Sequence, residues 1–266
     1  MHLSSNGTTL YYIDVGQPSG PPIMLVHGFP LSHEMWTNQI EILKSAYRVV
    51  AFDLRGQGRS GVGDGQFTLE FLVDDLIALL DHLKIAQAVL CGLSMGGYVS
   101  LRTVERSAER VSGLVLCDTK SEADPNETKL ARGASIRAIK RNGVDAYAET
   151  FLKGALSPTS LKDPSVVETA AKIIRKNQAL GLSGTLLALA GRTDTTSFLP
   201  KIQVPTLILV GEQDTITPPE QSHKMHSMIQ KSELHLIPRA AHLSNMENPL
   251  DFNTHLLNFL QNHMQS

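Results

Sequence analysis

The chain has few cysteines, few aromatic residues and almost no net charge. Its 266 residues include two cysteines and one tryptophan, aromatic residues make up 5%, and the formal net charge is -2. Two cysteines are too few for a disulfide scaffold, so we expect Cys91 and Cys117 to be buried free thiols in a reducing compartment. The near-neutral balance gives no electrostatic footprint for nucleic acid, and no run of like charges indicates a membrane-binding surface.

Long apolar runs and targeting segments are also absent from the sequence. No apolar stretch approaches the roughly 20 residues that a membrane span needs. The N-terminus lacks a basic segment followed by an apolar one, so no signal peptide is expected. We therefore expect a cytoplasmic protein without a membrane partner. No His or Cys cluster has metal-ligand spacing, and no Walker A or G-x-G-x-x-G pattern is present, so neither a metal nor a cofactor is expected.

What the chain does have is a regular alternation of buried strands and amphipathic helices. It begins with Asn6-Gly7, a dipeptide typical of a hairpin turn. Strands are predicted at 8–15, 23–26, 47–52, 88–91, 111–117, 205–211 and 233–237, and helices at 32–43, 69–83, 98–106, 219–229 and 249–260. Continuous apolar strands alternating with helices predict an α/β fold, with a mostly parallel sheet covered by helices on both faces.

One long segment interrupts this alternation. Residues from about 121 to 199 carry helical periodicity and few strand signals. We expect its glycines and prolines to divide it into several short helices, the breaking residues being Gly133, Gly143, Gly154, Pro158, Pro164, Gly181, Gly184 and Gly191. The simplest interpretation is an α/β core formed by residues 1–118 and 200–266, with a helical cap at 119–199.

The most informative motif is Gly92-Leu93-Ser94-Met95-Gly96. It follows a predicted buried strand and precedes a predicted helix, which is the context of a G-x-S-x-G nucleophile elbow. Glycines are needed around such a serine because a Cβ would clash with the neighbouring strand and helix. The pentapeptide alone also fits an ordinary strand-to-helix turn with a capping serine, so the rest of the chain has to decide.

Candidate partners for the serine follow later strands. Ligands of α/β sheets bind at the carboxyl ends of the strands, and both Asp214 and His242 come directly after predicted strands. They complete the chain order Ser, Asp, His that a G-x-S-x-G enzyme requires, with the histidine as base and the acid fixing its tautomer. Glu212 and Asp118 compete with Asp214 for the acid role, Asp118 being the second choice.

The segment after the strand at 23–26 reads His27-Gly28-Phe29-Pro30. Gly28 lets the backbone approach a bound oxygen, so the amides of Phe29 and Met95 are predicted to stabilise an oxyanion. For the His27 side chain we favour a structural role, buried and satisfied by backbone groups. The loop at 53–60 contains Asp53, Arg55, Gly56 and Gly58, and we interpret it as a structural loop held by side-chain hydrogen bonds.

Together these motifs resemble a known family. They read HGFP at 27–30, DLRGQGRS at 53–60, GLSMGG at 92–97, GEQD at 211–214 and AHLSNMENP at 241–249. The chain resembles α/β-hydrolase-fold esterases and lactonases, and among them 3-oxoadipate enol-lactonases. The resemblance implies an eight-stranded sheet with a helical cap after the sixth strand. It also implies Ser94 as nucleophile, His242 as base, Asp214 as acid, and Phe29 and Met95 as the oxyanion hole.

The expected activity is hydrolysis of a small carboxylic ester or lactone through an acyl-enzyme. One alternative keeps the triad and transfers the acyl group to peroxide, because cofactor-free haloperoxidases (perhydrolases) have a similar elbow. Another is a non-catalytic binding module on this fold, which would be expected to have lost a triad member. The sequence leaves open the natural substrate and whether the chain forms a homo-oligomer.

The cap is where the chain departs from enol-lactonases. Those enzymes tend to carry a tryptophan and basic residues in the cap, whereas here the single tryptophan, Trp36, lies outside it. The basic residues of the first cap helix are spaced as a solvent-exposed face, and they are Lys129, Arg132, Arg137, Lys140 and Arg141.

Overall fold

The computed structural model describes residues 1–264, and its centre is an eight-stranded sheet. The strands are β1 (His2–Ser5), β2 (Thr8–Gly16), β3 (Pro22–Val26), β4 (Arg48–Phe52), β5 (Ala88–Leu93), β6 (Val111–Cys117), β7 (Thr206–Gly211) and β8 (Ser232–Ile237). They lie in the order β1-β2-β4-β3-β5-β6-β7-β8. The β1–β2 and β2–β4 pairs are antiparallel and the other pairs are parallel, which confirms the predicted mostly parallel sheet.

Helices cover both faces of the sheet, as predicted. They are α1 (Thr37–Leu43), α2 (Leu69–His82), α3 (Met95–Arg106), α4 (Asn126–Ala155), α5 (Pro164–Arg175), α6 (Ala179–Ala190), α7 (Pro219–Met228), α8 (Ser244–Glu247) and α9 (Pro249–His263). Met24 and Val26 of β3 face a core shared with α2, α3 and α7. Ile23 and Leu25 face a second core shared with α1 and α9. Because successive strand residues point to opposite faces, strands buried on both faces read as continuous apolar runs.

The N-terminal hairpin forms where the sequence predicts it. Asn6 and Gly7 connect β1 to β2 and have positive φ angles of 44° and 78°. A two-residue turn with both φ positive matches the twist of the flanking strands, and Asn-Gly is the pair that adopts it most readily.

Helix α3 begins at Met95, directly after the serine, and not at Tyr98 as predicted. The sequence of this first turn contains Gly96 and Gly97, which have low helix propensity. Tertiary packing overrides that preference, because the turn lies against neighbouring backbone and has no room for larger side chains.

Helices α4, α5 and α6 lie between β6 and β7, and α4 packs against both of the others. Gly143 interrupts α4 as predicted, because its φ of 85° and ψ of 172° are not helical. The breaks predicted at Gly133 and Gly154 are wrong, since α4 continues through both. Gly181, inside α6, packs directly against the backbone of Gly56, because a Cβ at this position would clash with the Gly56 carbonyl oxygen. The domain boundaries at 118/119 and 199/200 stay a prediction.

Cys91 and Cys117 are buried free thiols on the adjacent strands β5 and β6, as expected. Burial raises the pKa of the Cys117 thiol well above its usual value, and Cys91 beside it adds to the shift. Across residues 1–264, none of the helices has the length and apolarity needed to cross a membrane.

Candidate active site

Ser94 lies in a strained turn between β5 and α3. Its backbone has φ 53° and ψ -112°, a combination that a residue with a side chain adopts only when its surroundings enforce it. A Cβ on Gly92 would lie 2.2 Å from the carbonyl oxygen of Gly96, and one on Gly96 would lie 2.0 Å from that of Val26. Neither separation is sterically possible, so the two glycines let strand, turn and helix pack closely enough to hold the serine in this conformation.

The structure brings together the three residues that the sequence singled out. His242 Nε2 is 2.9 Å from Ser94 Oγ, and His242 Nδ1 is 2.9 Å from Asp214 Oδ2. A carboxylate oxygen can only accept, so we assign the imidazole proton to Nδ1. Nε2 is then free to accept the hydrogen bond from the serine hydroxyl. All three side chains are buried.

Asp214 is fixed by its own loop. Its Oδ1 accepts hydrogen bonds from the amides of Ile216 at 2.8 Å and Thr217 at 3.0 Å, and its Oδ2 accepts one from Thr217 Oγ1 at 2.7 Å. Burial alone would raise the pKa of this carboxyl, but His242 and the Thr217 hydrogen bonds outweigh it and the pKa is lowered. Thr217 is not among the residues predicted from the sequence; the bond from the Ile216 amide, two residues after Asp214, is the turn contact that an aspartate in a loop makes, and Thr217 adds to it.

The Asp214–His242 pair also shifts the pKa of the histidine. Burial disfavours the imidazolium form of His242, but the charge of Asp214 and its hydrogen bond more than compensate, and the pKa of His242 is raised. An imidazolium that forms during a reaction is therefore stabilised where it forms, which is the role of the acid in a triad.

Neither alternative acid binds the His242 ring. Asp118 is fully buried and accepts hydrogen bonds from the amide of Gly211, at 2.8 Å, and from the hydroxyl of Ser244. Burial and the nearby charge of Asp214 raise its pKa well above the usual value. Glu212 is exposed. Among the hydrogen bonds of residues 1–264, Asp214 is the acid that binds the His242 ring.

The amides of Phe29 and Met95 belong to residues that line the same cavity as Ser94 and His242. Within residues 1–264 neither amide donates a hydrogen bond to another protein group. Met95 is also the first residue of α3, where the helix dipole presents partial positive charge. Two free amides beside a serine hydroxyl can receive a developing oxyanion, although the oxyanion-hole assignment itself stays a prediction.

His27 and the 53–60 loop have structural contacts, as predicted. His27 is fully buried, its Nδ1 donates to the carbonyl of Gly28 at 3.0 Å, and its Nε2 accepts from the amide of Leu54 at 2.9 Å. Asp53 is also buried and accepts from the amides of His33 at 2.7 Å and Arg59 at 2.8 Å.

A cavity of about 400 Å³ opens above the serine. Its walls are mainly aromatic and aliphatic and include Tyr98, Tyr147, Phe151, Leu186, Leu189 and Ile216. This size and lining are typical of a site for a small organic molecule. Residues 1–264 contain no group of three or more His, Cys, Asp or Glu side chains placed to hold a metal ion.

Arg132 of α4 is the cation that lines this cavity. Its Nε donates to Asp124, which also pairs with Arg192, so two guanidinium groups share one buried carboxylate. The guanidinium of Arg192 in turn lies 4.1 Å from the ring centre of Tyr98. The terminal nitrogens of Arg132 have no hydrogen bond to any of residues 1–264. Arg132 therefore places unbalanced positive charge at the cavity wall.

This location differs from the solvent-exposed face predicted for the cap cations. The other four members of that set are exposed, as expected, and they are Lys129, Arg137, Lys140 and Arg141. The spacing of cations along a helix does not reveal which of them lies against a buried carboxylate of another segment.

The chain is similar to several known hydrolases. A family model described as the alpha/beta hydrolase fold matches residues 21–249. A thermophilic esterase from Thermogutta terrifontis, solved with malate bound, superposes with a TM-score of 0.93 at 36% identity, over 97% of this chain and 95% of that one. The 3-oxoadipate enol-lactonase 2 of Acinetobacter baylyi is 30% identical, over 94% of this chain and 92% of that protein. The non-heme haloperoxidase of Rhodococcus erythropolis is 30% identical, over 97% of this chain and 98% of that protein.

Proposed function

The chain belongs to the α/β-hydrolase fold family of enzymes, and from this premise we propose that it is a serine hydrolase that cleaves a small carboxylic ester or lactone. The observation that carries the proposal is the continuous hydrogen-bond chain from Ser94 through His242 to Asp214, with its serine end in the cavity. A serine hydroxyl is a weak nucleophile at neutral pH and needs such a base.

The reaction starts when Ser94 Oγ attacks the carbonyl carbon of the substrate and His242 Nε2 takes the serine proton. The C=O electron pair moves onto oxygen, and the amides of Phe29 and Met95 donate to the resulting oxyanion. Donors of this kind typically each contribute about 2.7–4 kcal/mol of transition-state stabilisation. The C–O bond to the leaving alkoxide then breaks as His242 protonates it. Water, deprotonated by His242, attacks the acyl-enzyme and releases the acid and Ser94.

Arg132 narrows the proposed substrate class. An arginine with free terminal nitrogens in a mainly apolar cavity favours a ligand with a carboxylate, because that group accepts two parallel hydrogen bonds from a guanidinium. The relative from Thermogutta terrifontis was solved with a dicarboxylic acid, malate, bound. We therefore propose that the preferred ester or lactone carries a carboxylate away from the reacting carbonyl.

The first test replaces the nucleophile. Ser94→Ala removes the attacking oxygen, so we expect hydrolysis of short p-nitrophenyl esters to fall at least about a thousandfold. Ser45→Ala, at an exposed loop position, is the matched control and keeps full activity. A fluorophosphonate probe is expected to label the wild type and not the Ser94 variant. Unchanged esterase activity in Ser94→Ala refutes the proposal, and an unlabelled wild type favours a binding module.

The second test concerns the charge at the cavity wall. Arg132→Ala is expected to lower kcat/KM for a carboxylate-bearing ester by about 10- to 100-fold, the scale of a lost charge-assisted contact. For the matched neutral ester we expect little change. Arg137→Ala, exposed on the same helix, is the control. Equal losses on both esters show that Arg132 does not recognise a carboxylate.

A second candidate reaction is perhydrolysis, and the haloperoxidase relative is the observation that favours it. Here hydrogen peroxide replaces water, its oxygen attacks the acyl-enzyme, and a peracid leaves with Ser94 regenerated. Measuring halide oxidation with acetate and peroxide beside ester hydrolysis distinguishes the two reactions. The perhydrolase assignment requires the first rate to exceed the second.

A further inference from the structure

Another carboxylate lies against the loop that carries His242, and neither the triad nor the oxyanion hole uses it. Glu247 is the last residue of α8. Its Oε1 accepts hydrogen bonds from the amides of Ala241, at 2.9 Å, and Leu243, at 3.2 Å. These are the residues on either side of His242, so one side chain fixes the backbone of the base on both sides.

The other oxygen of the same carboxylate binds the segment that follows α4. Glu247 Oε2 accepts from the amide of Ser157 at 2.7 Å. The amide of His242 itself donates to the carbonyl of Ala155, the last residue of α4, at 3.0 Å. A helix C-terminus leaves its last carbonyls without helical partners, and here the backbone of the base supplies the donor. Helix α4 is therefore bonded directly to the base.

Helix α4 also forms a wall of the cavity. Arg132, Tyr147 and Phe151 project from it into the space above Ser94. The part of α4 after Gly143, which brings Tyr147 and Phe151 to the cavity, thus ends on the backbone of the base. A shift of α4 when substrate binds would reach His242 through Ala155 and Glu247.

We propose that Glu247 is a positioning residue that couples the seating of α4 over the substrate to the placement of His242 beside Ser94, an inference that rests on the proposed hydrolase function. Geometry is the first part of the effect. A base displaced by about 1 Å from its nucleophile can cost on the order of 100-fold in rate.

Charge is the second part. The charged groups that act on His242 are Asp214 after β7, Asp118 after β6 and Glu247 on α8. Burial lowers the pKa of His242, and these three carboxyl groups raise it. Neutralising Glu247 should therefore lower the pKa of the base, because it removes negative charge that stabilises the imidazolium.

Two variants separate geometry from charge. Glu247→Ala removes the charge and all three hydrogen bonds. Glu247→Gln removes the charge, but the new amide has one acceptor oxygen and can hold either the amides beside His242 or that of Ser157. We expect kcat to fall by about 10- to 100-fold in Glu247→Ala and by less in Glu247→Gln. In both variants the acid limb of kcat/KM against pH should move to lower pH.

The control is Glu212→Gln. Glu212 is exposed and accepts a hydrogen bond from the amide of Arg239 at 3.4 Å. Its substitution therefore removes a negative charge close to the same loop and leaves the residues beside His242 untouched. Its pH profile and kcat should match the wild type. All rates are measured with an uncharged p-nitrophenyl ester and divided by the concentration of sites that a fluorophosphonate probe titrates, so misfolded protein does not count.

The outcomes are distinct. A kcat per titrated site that is lower in Glu247→Ala than in Glu247→Gln, with the acid limb shifted in both, supports the proposal. If both variants keep the wild-type kcat per site and the wild-type acid limb, Glu247 is only structural and the inference is overturned. If the probe labels no serine in the wild-type protein, the proposed function fails first.

Discussion

Asp118 and Asp214 follow neighbouring strands, and from the sequence alone both are candidates for the acid that orients His242. The structure separates them by their hydrogen-bond donors. Asp214 receives the imidazole Nδ1–H, whereas Asp118 binds the amide of Gly211 and the hydroxyl of Ser244. A strand-end position can be read from apolar patterning, but the direction of a carboxylate depends on loop geometry that no spacing encodes.

This difference can be measured at the residue scale. Asp214→Asn leaves the histidine with a partner that favours the wrong tautomer, so kcat should fall by roughly 10⁴-fold. Asp118→Asn keeps an acceptor for Gly211, and its amide can donate to the Ser244 hydroxyl, so the loss of kcat should be far smaller. Ester hydrolysis by the two purified variants decides the matter, and equal losses would contradict the assignment of the acid.

At the scale of elements, the sequence predicts most strands and helices to within a few residues, because their apolar periodicity is strong. It is right at Gly143, which interrupts α4, and wrong at the glycines that lie within helical turns. Gly133 and Gly154 do not break α4, since a long helix packed against α5 and α6 tolerates residues of low propensity. Thr217 is missed because its amide and hydroxyl bind Asp214 within one loop, and no apolar pattern marks such a contact. Glu247 is missed because its partners are backbone amides, two beside His242 and one at the distant Ser157.

Substitution by alanine should change stability in opposite directions at Gly154, which is helical, and at Gly143, which is not. At Gly154 a Cβ meets no atom within 4 Å, so Gly154→Ala should raise the free energy of unfolding by up to about 1 kcal/mol. At Gly143 φ is 85°, so Gly143→Ala should lower the free energy of unfolding, because an alanine is strained in that conformation. Urea unfolding with an unchanged m-value measures both effects. A stabilised Gly143→Ala would show that the kink is dispensable.

For the whole molecule, the order of elements predicts the sheet, the covering of both faces and the helices inserted after β6. The reason is that strands buried on both faces and amphipathic helices leave few ways to bury their apolar surfaces. The chemistry of the cavity is harder to predict. The charge that Arg132 presents there depends on Asp124 and Arg192, which come from both ends of the inserted helices.

Acid should destabilise the whole molecule through His27. Burial lowers its pKa to about 4, and its two backbone hydrogen bonds require the neutral ring with the proton on Nδ1. A histidine with a depressed pKa lets the unfolded chain bind the proton first, so stability is lost as pH falls from about 6.5 towards 4. The loss is on the order of 3 kcal/mol, from the size of the pKa shift.

His27→Gln tests this contribution, because a glutamine amide can replace both backbone contacts and does not titrate. Free energies of unfolding measured between pH 7 and about pH 4 should fall less steeply in the variant than in the wild type. Parallel pH dependences would exclude His27 as the source.

The bond between the His242 amide and the Ala155 carbonyl has a consequence for recombination. A chimaera that exchanges the inserted helices with those of a relative cuts the chain after β6 and before β7, and so brings in a foreign α4. The last turn of the foreign α4 must then form its hydrogen bonds with a histidine loop that comes from a different protein. Crossover points that keep residues 155–157 with the recipient, or that transfer the histidine loop with the donor helices, should give more active chimaeras than crossovers placed at the strand ends alone.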